Sequence, residues 1–123
     1  MSNVYISTID PPRIARNKRI YAGNVNIVNS RSTGIINEIH IEHGRITGLA
    51  SSSVVVYFAK EFDKIPAGWI RVYRMREIVS GRWKQQDVLY YHAAEEFKNE
   101  FGFGLVIDPK EPLLGVIIEY LFI

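Results

Sequence analysis

Few residues in this chain have types and spacings that could do chemistry. His40 and His43 are the one close pair of imidazoles, and on a strand residues three apart point to opposite faces. A metal pair needs even spacing on a strand or four-residue spacing on a helix. His92 is distant in sequence, and no Asp or Glu pattern completes a ligand set. The histidines therefore read as surface or hydrogen-bonded side chains. Glu38 and Glu42 are placed on one strand face. Paired carboxylates hydrolyse glycosides only when they flank a cleft at a set separation, and on an exposed strand such a pair is solvated. Ser51-Ser52-Ser53 lacks the Gly-x-Ser-x-Gly setting of a nucleophile elbow and reads as a linker. Gly102-Phe103-Gly104 precedes a strand instead of opening a helix, so it is not a phosphate loop. The chain has no cysteine, which removes disulfides, thiolate metal sites and cysteine nucleophiles. No catalytic, cofactor-binding or metal-binding residue is expected, and the activity expected is binding without catalysis.

Aromatic and basic residues carry more. Tyr57, Trp69, Tyr73, Trp83, Tyr90 and Tyr91 all fall within residues 51–123. Aromatic rings stack on sugars or on partner surfaces, and they also fill cores. Trp83 has basic and polar neighbours and is expected to be partly exposed or at an interface. Trp83, Arg82 and Tyr73 are the candidate interface or glycan contacts. Arg13, Arg16, Lys18 and Arg19 form a basic cluster with no nearby acid after Asp10, and Arg71, Arg74, Arg76, Arg82 and Lys84 form a second one diluted by Glu77. Clusters of this kind are ordinarily solvated surface. The sharper reading is docking onto an acidic protein surface or nucleic acid, but a net charge of +2 is too small to imply nucleic acid by itself.

The elements that must position these residues are mostly strands. At 123 residues the chain has the size of one domain, and it is 47% hydrophobic, enough for a real core. No apolar run approaches the roughly 18 residues of a membrane span, and Met1 to Asp10 lacks the pattern of a signal peptide. The first fifty residues read as a sparsely apolar N-terminal arm with a hairpin. Pro11-Pro12 blocks helix. Ile35 to Glu42 alternates as a strand with one buried face, with Ile35, Asn37, Ile39 and Ile41 on one side and Ile36, Glu38, His40 and Glu42 on the other. His43-Gly44 can turn the chain, and Arg45 to Leu49 returns. Residues 51–123 read as the β domain: strands at Val54 to Phe58, Trp69 to Met75 and Asp87 to Tyr91, a turn at Ser80-Gly81, and a short helix over His92 to Phe101 stopped by Gly102. Strands resume at Phe103 to Ile107. The last, Leu114 to Phe122, is apolar on both faces and belongs in the middle of a sheet. Short strands with intervening turns indicate an all-β fold. The form expected is an antiparallel β-sandwich of jelly-roll type with one short helix and an extended N-terminal arm.

Three stretches together resemble a known class. Ile39 to Leu49 (IHIEHGRITGL) is similar to strand-Gly-strand hairpins in adaptor parts of phage fibres. Val54 to Arg74 (VVVYFAKEFDKIPAGWIRVYR) resembles the opening of small β-sandwich modules of phage tail and fibre proteins, which are loosely similar to H-type lectins. Gly102 to Phe122 resembles the close of such modules. The resemblance implies a virion structural protein of a tail, fibre or capsid-attached assembly, made in the host cytoplasm. It would form a homo-oligomer, first of all a trimer, and dock on other virion proteins through an arm bearing Arg13, Arg16, Lys18 and Arg19. No membrane and no cofactor enter this expectation. The alternative is a carbohydrate-recognition module that binds a host-surface glycan through Trp83, Arg82 and Tyr73.

Overall fold

Runs rich in Val, Ile, Phe and Tyr favour extended backbone, because β-branched and aromatic side chains fit a pleated surface. The computed structural model describes Ile14 and residues 25–30, 33–36, 38–93 and 97–123. Among them the strands are β1 (Val25–Asn29), β2 (Thr33–Ile36), β3 (Ile39–Ile46), β4 (Ser53–Tyr57), β5 (Gly68–Val79), β6 (Arg82–Val88), β7 (Tyr91–His92), β8 (Lys98–Asn99), β9 (Gly102–Ile107) and β10 (Val116–Phe122). They form two sheets. One runs β1-β4-β9-β7, with β8 also on β9, and the other runs β2-β3-β10-β5-β6. The fold is all-β.

The sheets share one core. Val54 and Val56 of β4 and Phe103, Leu105 and Ile107 of β9 meet Val72 of β5 and Val116, Ile118, Tyr120 and Phe122 of β10. The Phe103 ring lies 5.2 Å from Tyr120 and 5.1 Å from Phe122, centroid to centroid. Strand β10 is the middle of its sheet, with β3 on one side and β5 on the other. A strand apolar on both faces belongs there, since its exposed edge would invite aggregation. Ser80-Gly81 joins β5 to β6, and Gly81 takes the left-handed φ of 79° that a tight hairpin asks for.

Four expectations are revised. First, β1 and β4 pair parallel, Val25 opposite Ser53 through Asn29 opposite Tyr57, so the sheets are not wholly antiparallel. The chain leaves β1, builds β2 and β3 in the other sheet and returns as β4, a crossover long enough to bring it back in the same direction. Second, the helix over His92 to Phe101 does not form across that span: His92 ends β7, and Lys98 and Asn99 pair with Phe103 and Gly102. Buried Phe97 satisfied the helical pattern, but the edge of β9 offers these backbone groups sheet partners. Third, the chain reverses between Ile36 and Ile39, which lie opposite each other, and β3 runs straight through His43-Gly44. Glu38 supplies the left-handed residue of that reversal, φ 67°. Fourth, the division at residue 50 falls between two strands of one core. Residues 25–46 give β1 to one sheet and β2 and β3 to the other. The basic cluster at Arg13, Arg16, Lys18 and Arg19 lies outside the described residues.

Close backbone approach fixes Gly102. A Cβ there would fall on the carbonyl oxygen of Val56, where Gly102 lies opposite Tyr57 at the end of the β4–β9 pair. Backbone in a central pair cannot step aside as a flexible side chain can. Gly102→Ala should therefore cost about 3 kcal/mol of unfolding free energy, read as a lower urea midpoint. An unchanged midpoint would show that β4 and β9 are less tightly paired than described.

Candidate functional site

Strand β3 turns Glu42 inward. Glu42 was placed on a solvated face with Glu38, but it is wholly buried, 0% exposed, while Ile39 is exposed. The register on β10 explains this. Glu42 lies opposite Phe122 and Gly44 opposite Tyr120, and residues directly opposite share a face. Tyr120 and Phe122 are core residues, so Glu42 and Gly44 must face inward with them. Glycine is required at position 44 because a Cβ would collide with the Tyr120 ring.

A buried carboxylate is costly unless its oxygens are satisfied. Oε1 of Glu42 accepts the Ala59 N–H at 2.7 Å, and Oε2 lies 2.6 Å from Nε2 of His40. The His40 ring stacks on Phe62 at 4.0 Å. Nearby, the Tyr120 hydroxyl donates to Ser30 Oγ at 2.6 Å. This set ties β3 to the loop after β4 and the end of β1 to β10, so its role is structural. Glu38 stands in the reversal before β3 and is not paired with Glu42. His43 points outward. His92 packs edge-on against Phe97, and its buried Nδ1 has no hydrogen-bond partner among the described residues. The three histidines are thus not gathered, and among the described residues no group of three His, Cys, Asp or Glu is placed to hold a metal.

Among the described residues, two surfaces hold the candidate contacts. The first is a groove of about 570 Å³ beside the β5–β6 hairpin, lined by Met75, Glu77, Trp83, Pro112 and Leu114, with Arg74 and Arg76 at its sides. Trp83 is 59% exposed and Leu114 89%. Arg82 is exposed next to Trp83 at the turn. Arg74 reaches Glu111 at 2.9 Å and the Pro112 carbonyl at 2.8 Å, which holds the 111–115 loop against β5.

The second is a shallow depression, also about 570 Å³, on the outer face of the β10 sheet. Tyr73 lies here. It is 4% exposed, its hydroxyl donates to Glu119, and the Arg71 guanidinium covers its ring at 4.4 Å. Tyr73 is opposite Val88, whereas Trp83 is opposite Glu77, so the structure does not bring the two together. The side chains it does assemble around Tyr73 are Trp69, Glu119, Arg45 and His43. Their signal in the sequence is Glu119, the one charge in the apolar run of β10.

Comparison with known protein families, with curated proteins and with solved structures finds no match.

Two predictions follow from the buried polar set. Glu42→Ala strands the Ala59 N–H and His40 and should cost about 3 kcal/mol, while Glu38→Ala, in the exposed reversal, should change stability far less; urea titration of both reads the contrast. Burial raises the pKa of Tyr91 and Tyr120 above the ordinary value; for Tyr120 the bond to Ser30 opposes the rise and the Glu42 charge adds to it. The folded state then holds protons that the unfolded chain loses from about pH 10. The stability from these phenols is complete below that pH and falls as pH rises toward the folded values. Unfolding free energy should decline above about pH 10, with a shallower decline in Tyr91→Phe/Tyr120→Phe. An equal decline in that variant would remove these phenols as the cause.

Proposed function

We propose that this chain is a non-enzymatic structural subunit of a phage virion, in a tail, fibre or capsid-attached assembly, and that it works by associating with copies of itself and docking on other virion proteins. In this reading the two sheets form a sandwich of jelly-roll type, and the N-terminal cluster of Arg13, Arg16, Lys18 and Arg19 serves attachment. The observation that carries the docking role is the groove beside the β5–β6 hairpin. Trp83 and Leu114 stand largely in solvent on its walls, although burying each is worth roughly 1.5–3 kcal/mol. Contiguous exposed apolar surface with a charged rim marks a contact site, and Trp and Arg are the residues that dominate such contacts. The resemblance to phage tail and fibre modules gives the assembly its class.

A carbohydrate-recognition module is the second reading. A specific observation favours it: Trp69, half-exposed on the outer face of the β10 sheet beside Glu119 and Arg45.

Sedimentation equilibrium of the full chain tests the first reading. The wild type should sediment as a homo-oligomer, a trimer first of all, and Trp83→Ala/Leu114→Ser should shift it to monomer with an unchanged melting transition. A wild type that stays monomeric at high micromolar concentration, or a variant that assembles as before, would overturn self-association through this groove.

A further inference from the structure

We infer that the depression on the outer face of the β10 sheet binds a saccharide bearing a carboxylate, a uronate or a sialic acid. The inference rests on the carbohydrate-recognition reading and names the site and the ligand class. Three strands build the site in register. His43, Leu121 and Trp69 lie opposite one another across β3, β10 and β5, and Arg45, Glu119 and Arg71 form the next row. Opposed residues share a face, so an indole stands beside a carboxylate flanked by two guanidinium groups.

Each of these groups suits a different part of a sugar acid. Trp69 is 49% exposed, and an indole face takes the apolar C–H face of a pyranose ring. Glu119 is held in place before any ligand arrives: its Oε1 accepts the Tyr73 hydroxyl and lies 3.8 Å from Arg71 Nη2. Its Oε2 has no hydrogen bond among the described residues, and a carboxylate only accepts, so it calls for hydroxyl donors. Arg71 is itself steadied over the Tyr73 ring. Arg45 is exposed on the opposite side of Glu119, and a guanidinium is shaped to take a carboxylate through two parallel hydrogen bonds. Two guanidinium groups against one carboxylate leave an excess positive charge. An acidic peptide would meet repulsion at Glu119 and supply few donors to it. A neutral sugar would leave the excess charge unanswered. A sugar acid brings an apolar ring face, hydroxyl donors and a carboxylate within one ring.

Isothermal titration of the full chain with trigalacturonate, its methyl ester, sialyllactose and lactose tests this. At least one acidic probe should bind, and its uncharged counterpart should bind at least about tenfold more weakly. Salt should weaken the acidic probe, since the site is exposed. Which acidic probe binds separates a uronate from a sialic acid. Trp69→Ala should weaken binding about tenfold or more. Arg45→Ala should remove the preference for the acid. Both Trp69 and Arg45 are exposed, so the variants should melt as the wild type does. Equal binding of acidic and uncharged probes would sink the acidic ligand class and leave carbohydrate recognition standing. No heat from any of the four probes would sink both, and unaltered binding by Trp69→Ala would place the site elsewhere.

Discussion

The seat of the Tyr120 ring over Gly44 is the contact on which the rest of the structure depends. It fixes the register of β3 on β10. A shift of one residue would turn every side chain of β3 to the other face, and it would also set a Cβ-bearing residue under the ring. With the register fixed, Glu42 must enter the core, and a buried carboxylate must be answered. The Ala59 N–H and His40 answer it. The loop after β4 is thereby anchored to the opposite sheet. Tyr120 then reaches Ser30, which continues β1 by pairing its own N–H with the Tyr57 carbonyl at 2.8 Å. One aromatic ring thus couples the parallel β1–β4 pair to the centre of the other sheet.

The same register arranges the outer face. Glu119 falls between Arg45 and Arg71, and Leu121 between His43 and Trp69. A lone carboxylate in a central strand would be a liability if covered by apolar neighbours. Here it is partly exposed and held by a phenol and a guanidinium, so its direction is set by packing rather than left to solvent. Binding groups placed on rigid strands lose little freedom when a ligand arrives. The groove beside the β5–β6 hairpin is of another kind. Its walls are a turn and a loop joined through Arg74 to Glu111 and Pro112, and its exposed groups are mainly apolar. The two surfaces lie at opposite ends of β5, so docking and ligand binding need not compete.

The all-β class and the central place of the last strand were legible because each rests on local composition: a strand apolar on both faces has nowhere else to go. Trp83 was legible as a residue outside the core because its immediate neighbours are basic and polar. The face of β3 was not. Its alternation of isoleucines with polar residues marks a strand with two unlike faces, yet nothing in the pattern says which of them meets the other sheet. Gly44 read as a turn because glycine permits positive φ, whereas it is needed as an absence of side chain under a ring 76 positions away in the chain. The short helix failed for a related reason. Ala93, Phe97 and Phe101 fit a helical stripe, but the unpaired edge of β9 competes for the same backbone groups, and that edge exists only once the sheet has formed.

The sequence by itself determined the all-β class, the tight hairpin at Ser80-Gly81 and the lack of thiol chemistry, because propensity and turn geometry act within a few residues. Only the tertiary structure decided which face of each strand is inside, that β1 joins β4 in parallel, and that Trp69, Glu119, Arg45 and His43 share one surface. Those outcomes depend on registers between strands far apart in the chain. Such registers are set by the shape of the paired side chains, above all Tyr120 against Gly44, and not by the residues on either side of each position.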